Sequence, residues 1–204
     1  MATPEIALYT NPNCPWAQRA HIALKELNLR YNQVIIDVEK PREERQVPTL
    51  SYNGTILTES GIIAQFLADA HPETETGSGL LLPSDTYQGA IQRVRAALLV
   101  DSWVSKLYPV LVGIILTGED HATSTKGLVD VIEREIEPLL VSASAADGDA
   151  NESKFFGGCE TLTLAEVLVG PFLLWISTLV KTEYQVWSGD LTSVLQERAP
   201  RFAS

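Results

Sequence analysis

Cys14 is the residue best placed to do chemistry. It stands in Thr10-Asn11-Pro12-Asn13-Cys14-Pro15-Trp16-Ala17-Gln18-Arg19. Asn-Pro-Asn predicts a turn before it, and Pro15 suits the first position of a helix, where a missing N–H costs nothing. A thiol at a helix start faces first-turn N–H groups without intrahelical partners and the positive end of the helix dipole. Both favour a thiolate, the nucleophilic form of cysteine. A buried structural cysteine is the plainer alternative, but turn, proline and helix signals agree on the reactive reading. A second polar pair, Glu59-Ser60, opens a later helix. A Ser there either holds an anion or merely caps the helix. His21, His71 and His121 have no metal-ligand spacing, no Gly-rich phosphate loop is present, and no metal is predicted. Cys159, in Gly157-Gly158-Cys159, reads as a small structural residue, with a redox link to Cys14 as the alternative.

The flanking patterns predict the elements that must hold these groups. Glu5 to Tyr9 alternates as a strand, and Ala17 to Leu27 carries Ala20, Ala23, Leu24 and Leu27 at helical spacing. Val34 to Val38 predicts a second strand, making a βαβ unit with parallel pairing. Val47 to Tyr52 predicts a third, Asn53-Gly54 a type I′ turn, and Thr55 to Thr58 an antiparallel return. A helix follows to Ala70. Residues 72–85 are rich in Pro, Gly and Ser and read as a linker, with Leu80-Leu81-Leu82-Pro83 as an anchor.

Beyond it the period is helical throughout. Thr86 to Leu116 predicts a long helix bent at Pro109 and Gly113, and Lys126 to Leu140 a second. Ser142 to Ser153 reads as a mobile loop. Thr163-Leu164-Ala165-Glu166 is a capping box before a helix to Val180 that is apolar nearly all round, hence expected at the buried centre. Trp187 to Arg198 predicts a last short helix.

Composition narrows the partners. The 26 acidic and 15 basic residues leave a net charge of −11, which argues against nucleic acid and anionic membrane surfaces. Hydrophobic content of 45% supports a real core. The most apolar stretch, Val167 to Val180, is shorter than a bilayer span. The start lacks a basic, apolar signal segment. With two cysteines and no disulfide framework, a soluble protein of the reducing cytoplasm is expected.

Cys14-Pro15-Trp16-Ala17 after a strand resembles the Cys-Pro-x-Cys turn of thioredoxins and glutaredoxins, with Ala17 at the second cysteine. In that form, and with βαβ followed by ββα, the chain resembles the cysteine-type, omega-like glutathione transferases. Val47-Pro48 matches the fold's cis-proline position, and Thr163 to Glu166 its Ser/Thr-x-x-Asp folding motif, with Glu for Asp. The resemblance implies a thioredoxin-like α/β domain over 1–71, a linker over 72–85 and an all-α domain over 86–204. It implies glutathione as co-substrate, held by Cys14 at the sulfur, by the Val47 main chain beside Pro48, by Ser60 at the γ-glutamyl carboxylate and by Glu59 at the γ-glutamyl ammonium. Trp16, Trp103 and Tyr108 would line a pocket for the second substrate, although the last two suit core or dimer interface equally. Asp101 would reach a partner subunit's glutathione, and a homodimer is implied. The chain departs from the family over 38–46, which is shorter than the usual helix and loop. Lys40, Arg42 and Arg45 there could hold the glycyl carboxylate or simply be a solvated charge run.

The resemblance implies several activities. The first is transfer of glutathione sulfur to a reactive electrophile. Leu8 to Pro12, Ser51-Tyr52-Asn53-Gly54 and Phe66 to Pro72 look most like fungal transferases of sulfur-containing secondary-metabolite pathways, such as the gliotoxin type. The second is a monothiol thioltransferase in which Cys14 attacks a disulfide substrate, since Ala17 forbids an internal resolving thiol. The third is a non-catalytic ligand carrier, or an isomerase, with an altered glutathione site.

Overall fold

A computed structural model describes residues 3–37, 46–72, 79–81, 84–117, 121–144, 155–179 and 191–203. The chain divides into two compact units, Met1–Gly89 with Thr161–Phe172, and Ala90–Glu160 with Leu173–Ser204. The division drawn from sequence put 161–172 with the helical half.

The first unit holds a four-stranded sheet of order β2-β1-β3-β4. β1 (Ile6–Thr10) is its second strand, with Ile6, Leu8 and Thr10 buried and the alternate residues half-exposed. α1 (Pro15–Glu26) buries Ala17, Arg19, Ala20, Ala23 and Leu24. It stops at Asn28, whose φ of 51° supplies the left-handed residue of a Schellman end. There the N–H of Leu29 reaches the Leu24 carbonyl at 2.9 Å and that of Asn28 reaches Lys25 at 3.0 Å. β2 (Asn32–Ile35) runs parallel to β1. Its bounds correct the expected Val34 to Val38. Thr10 pairs with Ile35, so the ladder closes where β1 ends, and Ile36 N–H gives its last bond to the Thr10 carbonyl at 2.8 Å. Val38 and the short segment through Arg45 lie outside the described residues.

β3 (Thr49–Tyr52) and β4 (Thr55–Leu57) form the predicted hairpin. Its turn residues Asn53 and Gly54 have φ of 49° and 82°, both in the left-handed region a type I′ turn needs. The Asn53 side chain accepts the Glu5 N–H at 2.9 Å, tying the turn to the base of β1. β3 starts two residues after the expected Val47, because Pro48 has no N–H for the ladder; the Val47–Pro48 peptide is cis. α2 (Ser60–Ala70) buries Ile63, Ala64, Leu67 and Ala68 and packs on α1. Of the expected anchor, Leu80 is buried and its carbonyl accepts the Leu164 N–H at 2.8 Å.

In the second unit, α3 (Tyr87–Ser102) runs through a π-helical turn, Trp103–Leu107, into α4 (Tyr108–Thr117). The irregularity therefore precedes Pro109 rather than falling on it or on Gly113. A proline ring clashes with the carbonyl four residues back and has no N–H for it; a wider turn just upstream takes up the mismatch. The same device recurs. α5 (His121–Val131) passes through a π turn at Ile132–Ile136 into α6 (Glu137–Ser144), and Pro138 follows at the offset of Pro109. The two π turns touch, with Trp103, Leu107, Ile132 and Ile136 all buried.

The helix Tyr87–Ile114 is, by length and hydropathy alone, long and apolar enough to cross a membrane, with 28% of its most apolar window buried. Leu164–Thr178, which holds most of the expected stretch, is an apolar helix below that length.

α7 (Leu164–Leu179) follows a one-turn 3₁₀ helix at Phe156–Gly158. Its capping box forms: Glu166 accepts the Thr163 N–H at 2.9 Å and the Thr163 hydroxyl at 2.6 Å, and Thr163 Oγ1 accepts the Ala165 N–H at 3.2 Å. The helix is not buried all round. Leu164 to Val169 and Phe172 are buried except Glu166, whereas Leu173, Leu174 and Trp175 are exposed. α8 (Leu191–Arg198) and α9 (Pro200–Ala203) close the chain; Trp187 lies outside the described residues. Glu137 accepts the N–H groups of Arg201 and Phe202 at 3.0 and 2.9 Å, and Arg198 pairs with Asp130 at 2.8 Å and with Glu133.

Candidate active site

Strand register brings the expected site residues to one end of the sheet. Tyr9 pairs with Thr49 and Leu50 with Leu57, so the C-terminal ends of β1 and β4 and the N-terminal start of β3 share an edge. Cys14 follows the first, Glu59-Ser60 the second, and Val47-Pro48 precedes the third.

Cys14 is the N-cap of α1, with φ −93° and ψ 114°, and makes no side-chain cap bond. It is half-buried and free. Its loop is well tied. Asn11 accepts the Cys14 N–H at its carbonyl (3.1 Å) and the Asn13 N–H at its side-chain oxygen (3.0 Å), and its own amide donates to the Ile36 carbonyl (3.2 Å). The Gln18 amide donates to the Pro12 carbonyl at 2.9 Å. The thiol is thus offered from a turn fixed on both sides, at a helix N-terminus that favours negative charge.

Val47 is half-buried, Pro48 is buried, and the Thr49 hydroxyl donates to the Gln46 carbonyl at 2.9 Å. Glu59 is exposed and is the N-cap of α2, with φ 65° and ψ 111°. This is a costly backbone for a non-glycine residue and a frequent mark of a ligand site. Ser60 opens the helix and is 5% exposed.

One partner of this site is legible only weakly in sequence. Arg19 is 3% exposed. Its Nη1 donates to Ser60 Oγ at 3.3 Å and its Nε to the Leu168 carbonyl at 2.7 Å. Its guanidinium lies 4.5 Å from the Trp16 ring centroid and 4.9 Å from that of Phe172. The available signal was position: Arg19 falls on the Ala20, Ala23, Leu24 stripe of α1, the buried face. Trp16, expected to meet the second substrate, is half-buried and packs edge-on to Phe172 at 4.8 Å.

The other aromatic candidates belong to the second unit. Trp103 is 1% exposed and stacks on Phe202 at 6.2 Å, which makes it a core side chain. Tyr108 is half-buried at the start of α4, and Asp101 is exposed. The Cys159 sulfur accepts the Gln92 amide at 2.7 Å.

His21 lies between Thr10 and Tyr31. Its Nε2 is 2.9 Å from Thr10 Oγ1, and its Nδ1 is 2.8 Å from the Tyr31 hydroxyl. Burial, with a smaller push from Lys25, holds its pKa below the ordinary value, and burial raises Tyr31. His71 is lowered by burial and sits 3.0 Å from the Tyr52 hydroxyl. The side chain of His121, and Lys40, Arg42 and Arg45, lie outside the described residues. Among the described residues no group of His, Cys, Asp and Glu could hold a metal ion.

Residues 8–75 match the family described as glutathione S-transferase, N-terminal domain. The chain is 26% identical over 189 residues to glutathione S-transferase omega-1 of Rattus norvegicus, covering 88% of this chain and 70% of the relative. It is 25% identical over 178 residues to probable glutathione S-transferase GSTU6 of Oryza sativa, covering 82% and 70%. Among solved structures, glutathione transferase Omega 2S from Trametes versicolor, in complex with 2,4-dihydroxybenzophenone, superposes with a TM-score of 0.72 at 25% identity, covering 99% of this chain and 87% of that one. Residues 8–75 thus form a glutathione S-transferase N-terminal domain by their family match, and the chain as a whole is similar to glutathione transferases of the omega and tau classes.

Proposed function

We propose that this protein is a glutathione-dependent transferase that joins glutathione sulfur to a small electrophile at the sheet end carrying Cys14. The observation that carries the reading is the convergence there of the Cys14 turn, the cis Val47–Pro48 peptide and the α2 N-terminus at Ser60. Glutathione presents a thiol, a peptide backbone and an anionic γ-glutamyl end. The first meets the helix end at Cys14, the second the main chain of Val47, and the third the Ser60 hydroxyl and the N–H groups of α2. Glu59, exposed beside Ser60, is charged to take the γ-glutamyl ammonium. Rate enhancement then comes from holding the sulfur as a thiolate next to the electrophile. A secondary-metabolite electrophile, as in the gliotoxin-type resemblance, belongs to this proposal. The hydroxylated aromatic bound by the Trametes relative is in keeping with such a substrate.

A second reading has its own support: a free cysteine at the position, and Ala17 where a resolving cysteine would stand. Cys14 thiolate attacks the glutathionyl sulfur of a mixed disulfide, forming Cys14–S–S–glutathione and releasing the substrate thiolate. A second glutathione thiolate then attacks that bond, restoring Cys14 and leaving oxidised glutathione. Cys14→Ser separates the readings. Glutathionylation of chlorodinitrobenzene survives the change if conjugation is the activity, and reduction of hydroxyethyl disulfide does not. A wild-type chain that shows no heat with glutathione would leave only a non-catalytic ligand carrier or an isomerase.

A homodimer is part of the proposal. Tyr87, Val94 and Leu98 are exposed apolar residues on one face of α3, a stripe that a second copy would cover. Light scattering at twice the 22.3 kDa of the chain is the expected result. A cytoplasmic location is proposed on the same grounds as the chemistry, because glutathione and a free active thiol need a reducing compartment.

A further inference from the structure

We propose that Arg19 is the positioning residue of the glutathione carboxylate site: it acts through Ser60 and does not touch the ligand. This rests on the glutathione reading above and extends it to a residue the resemblance did not supply.

A guanidinium has donors only. When Arg19 Nη1 donates to Ser60 Oγ at 3.3 Å, it occupies a lone pair of that hydroxyl, and the single Ser60 proton must be directed elsewhere. Mid-helix serines give that proton to the carbonyl four residues back. Ser60 is the first residue of α2, so no carbonyl of its own helix lies there. Among the described residues Arg19 is the partner of Ser60 Oγ. The hydroxyl is left as a donor at a helix N-terminus, the polarity an incoming carboxylate requires.

Arg19 is held so that it cannot leave Ser60 for the ligand. Its Nε is bound to the Leu168 carbonyl at 2.7 Å, and its guanidinium lies against Trp16 and Phe172, a stacking that lysine cannot reproduce. Arg19 also places a buried positive charge behind Ser60 in a chain whose net charge is −11, so the local field at this end of α2 favours an anion against the general repulsion.

Calorimetric titration of glutathione into the full chain and into Arg19→Gln, Ser60→Ala and the double variant tests this. Ser60→Ala and Arg19→Gln each weaken binding about tenfold, the loss of one hydrogen bond to a charged group, and the double variant is no weaker than the worse single one. Losses that multiply in the double variant, or an Arg19→Gln chain that binds like wild type, overturn the role of Arg19. Absence of binding by the wild type overturns the glutathione reading itself, and this extension with it. Should Arg19→Gln not fold, the Arg19 Nε–H resonance is followed in unaltered Arg19 chains. It shifts on addition of glutathione in the wild type and stays still in Ser60→Ala; a shift of equal size in both overturns the proposal. Arg19→Lys, which keeps the charge but not the fork, restores less than half of the lost affinity; full rescue would mean that charge alone suffices and would overturn the hydroxyl-directing role.

Discussion

Thr10 Oγ1 and His21 Nε2 lie 2.9 Å apart, joining the last residue of β1 to the middle of α1 across the turn that carries Cys14. Thr10 is fully buried, and the other nitrogen of His21 is engaged by Tyr31. The imidazole is the clasp on the Cys14 turn.

The clasp is sensitive to pH. Burial first, and Lys25 second, lower the His21 pKa below its ordinary 6.5. As pH falls, the unfolded chain therefore takes up the proton before the folded one does. The contribution is complete above 6.5 and is lost as pH falls below it toward the folded value. His71, lowered by burial, has the same sign. Urea midpoints should fall between pH 7.5 and 5, and His21→Gln should flatten part of that slope. An unchanged slope would remove His21 from the account.

The capping box should be worth measuring singly. Thr163→Ala removes the hydroxyl that both accepts from Ala165 and donates to Glu166, and costs about 1 kcal/mol of unfolding free energy. Glu166→Gln keeps an acceptor for the Thr163 N–H and costs less, because glutamine also serves at this position of the box. Urea unfolding of the two variants gives the order.

Trp103 separates a core role from a substrate role. At 1% exposure and stacked on Phe202, it is expected to cost about 4 kcal/mol as Trp103→Ala. Trp103→Phe should lower stability while leaving the KM for the electrophile unchanged. A raised KM with unchanged stability would return Trp103 to the substrate pocket.

The two thiols should differ in alkylation. Cys14 is a half-buried helix N-cap whose side chain makes no cap bond, whereas Cys159 is engaged by the Gln92 amide at 2.7 Å. Iodoacetamide should modify Cys14 first, and mass spectrometry of the modified peptide identifies it. Cys14→Ser should abolish the fast phase and Cys159→Ser leave it intact.

What the sequence by itself determined were features closed within a few residues. Asn53-Gly54 specifies its turn because both residues tolerate positive φ. Thr163 to Glu166 specifies its box because the partners are three residues apart. Pro15 after Cys14 specifies the start of α1. Pairing over longer spans was decided by the tertiary structure. The end of β2 follows from where β1 stops, and the exposure of Leu173, Leu174 and Trp175 from what packs on α7 rather than from its hydropathy. The π turns before Pro109 and Pro138 arise where a proline must be absorbed inside a packed helix. Arg19 is the clearest case. Its partners lie 41 and 149 residues away, and a buried guanidinium is tolerated only where such donors meet acceptors and flat rings. Local hydrogen bonds and backbone angles are written in neighbouring residues; the partner of a buried charge is chosen by packing, and that choice decides what stands behind Ser60 at the mouth of the site.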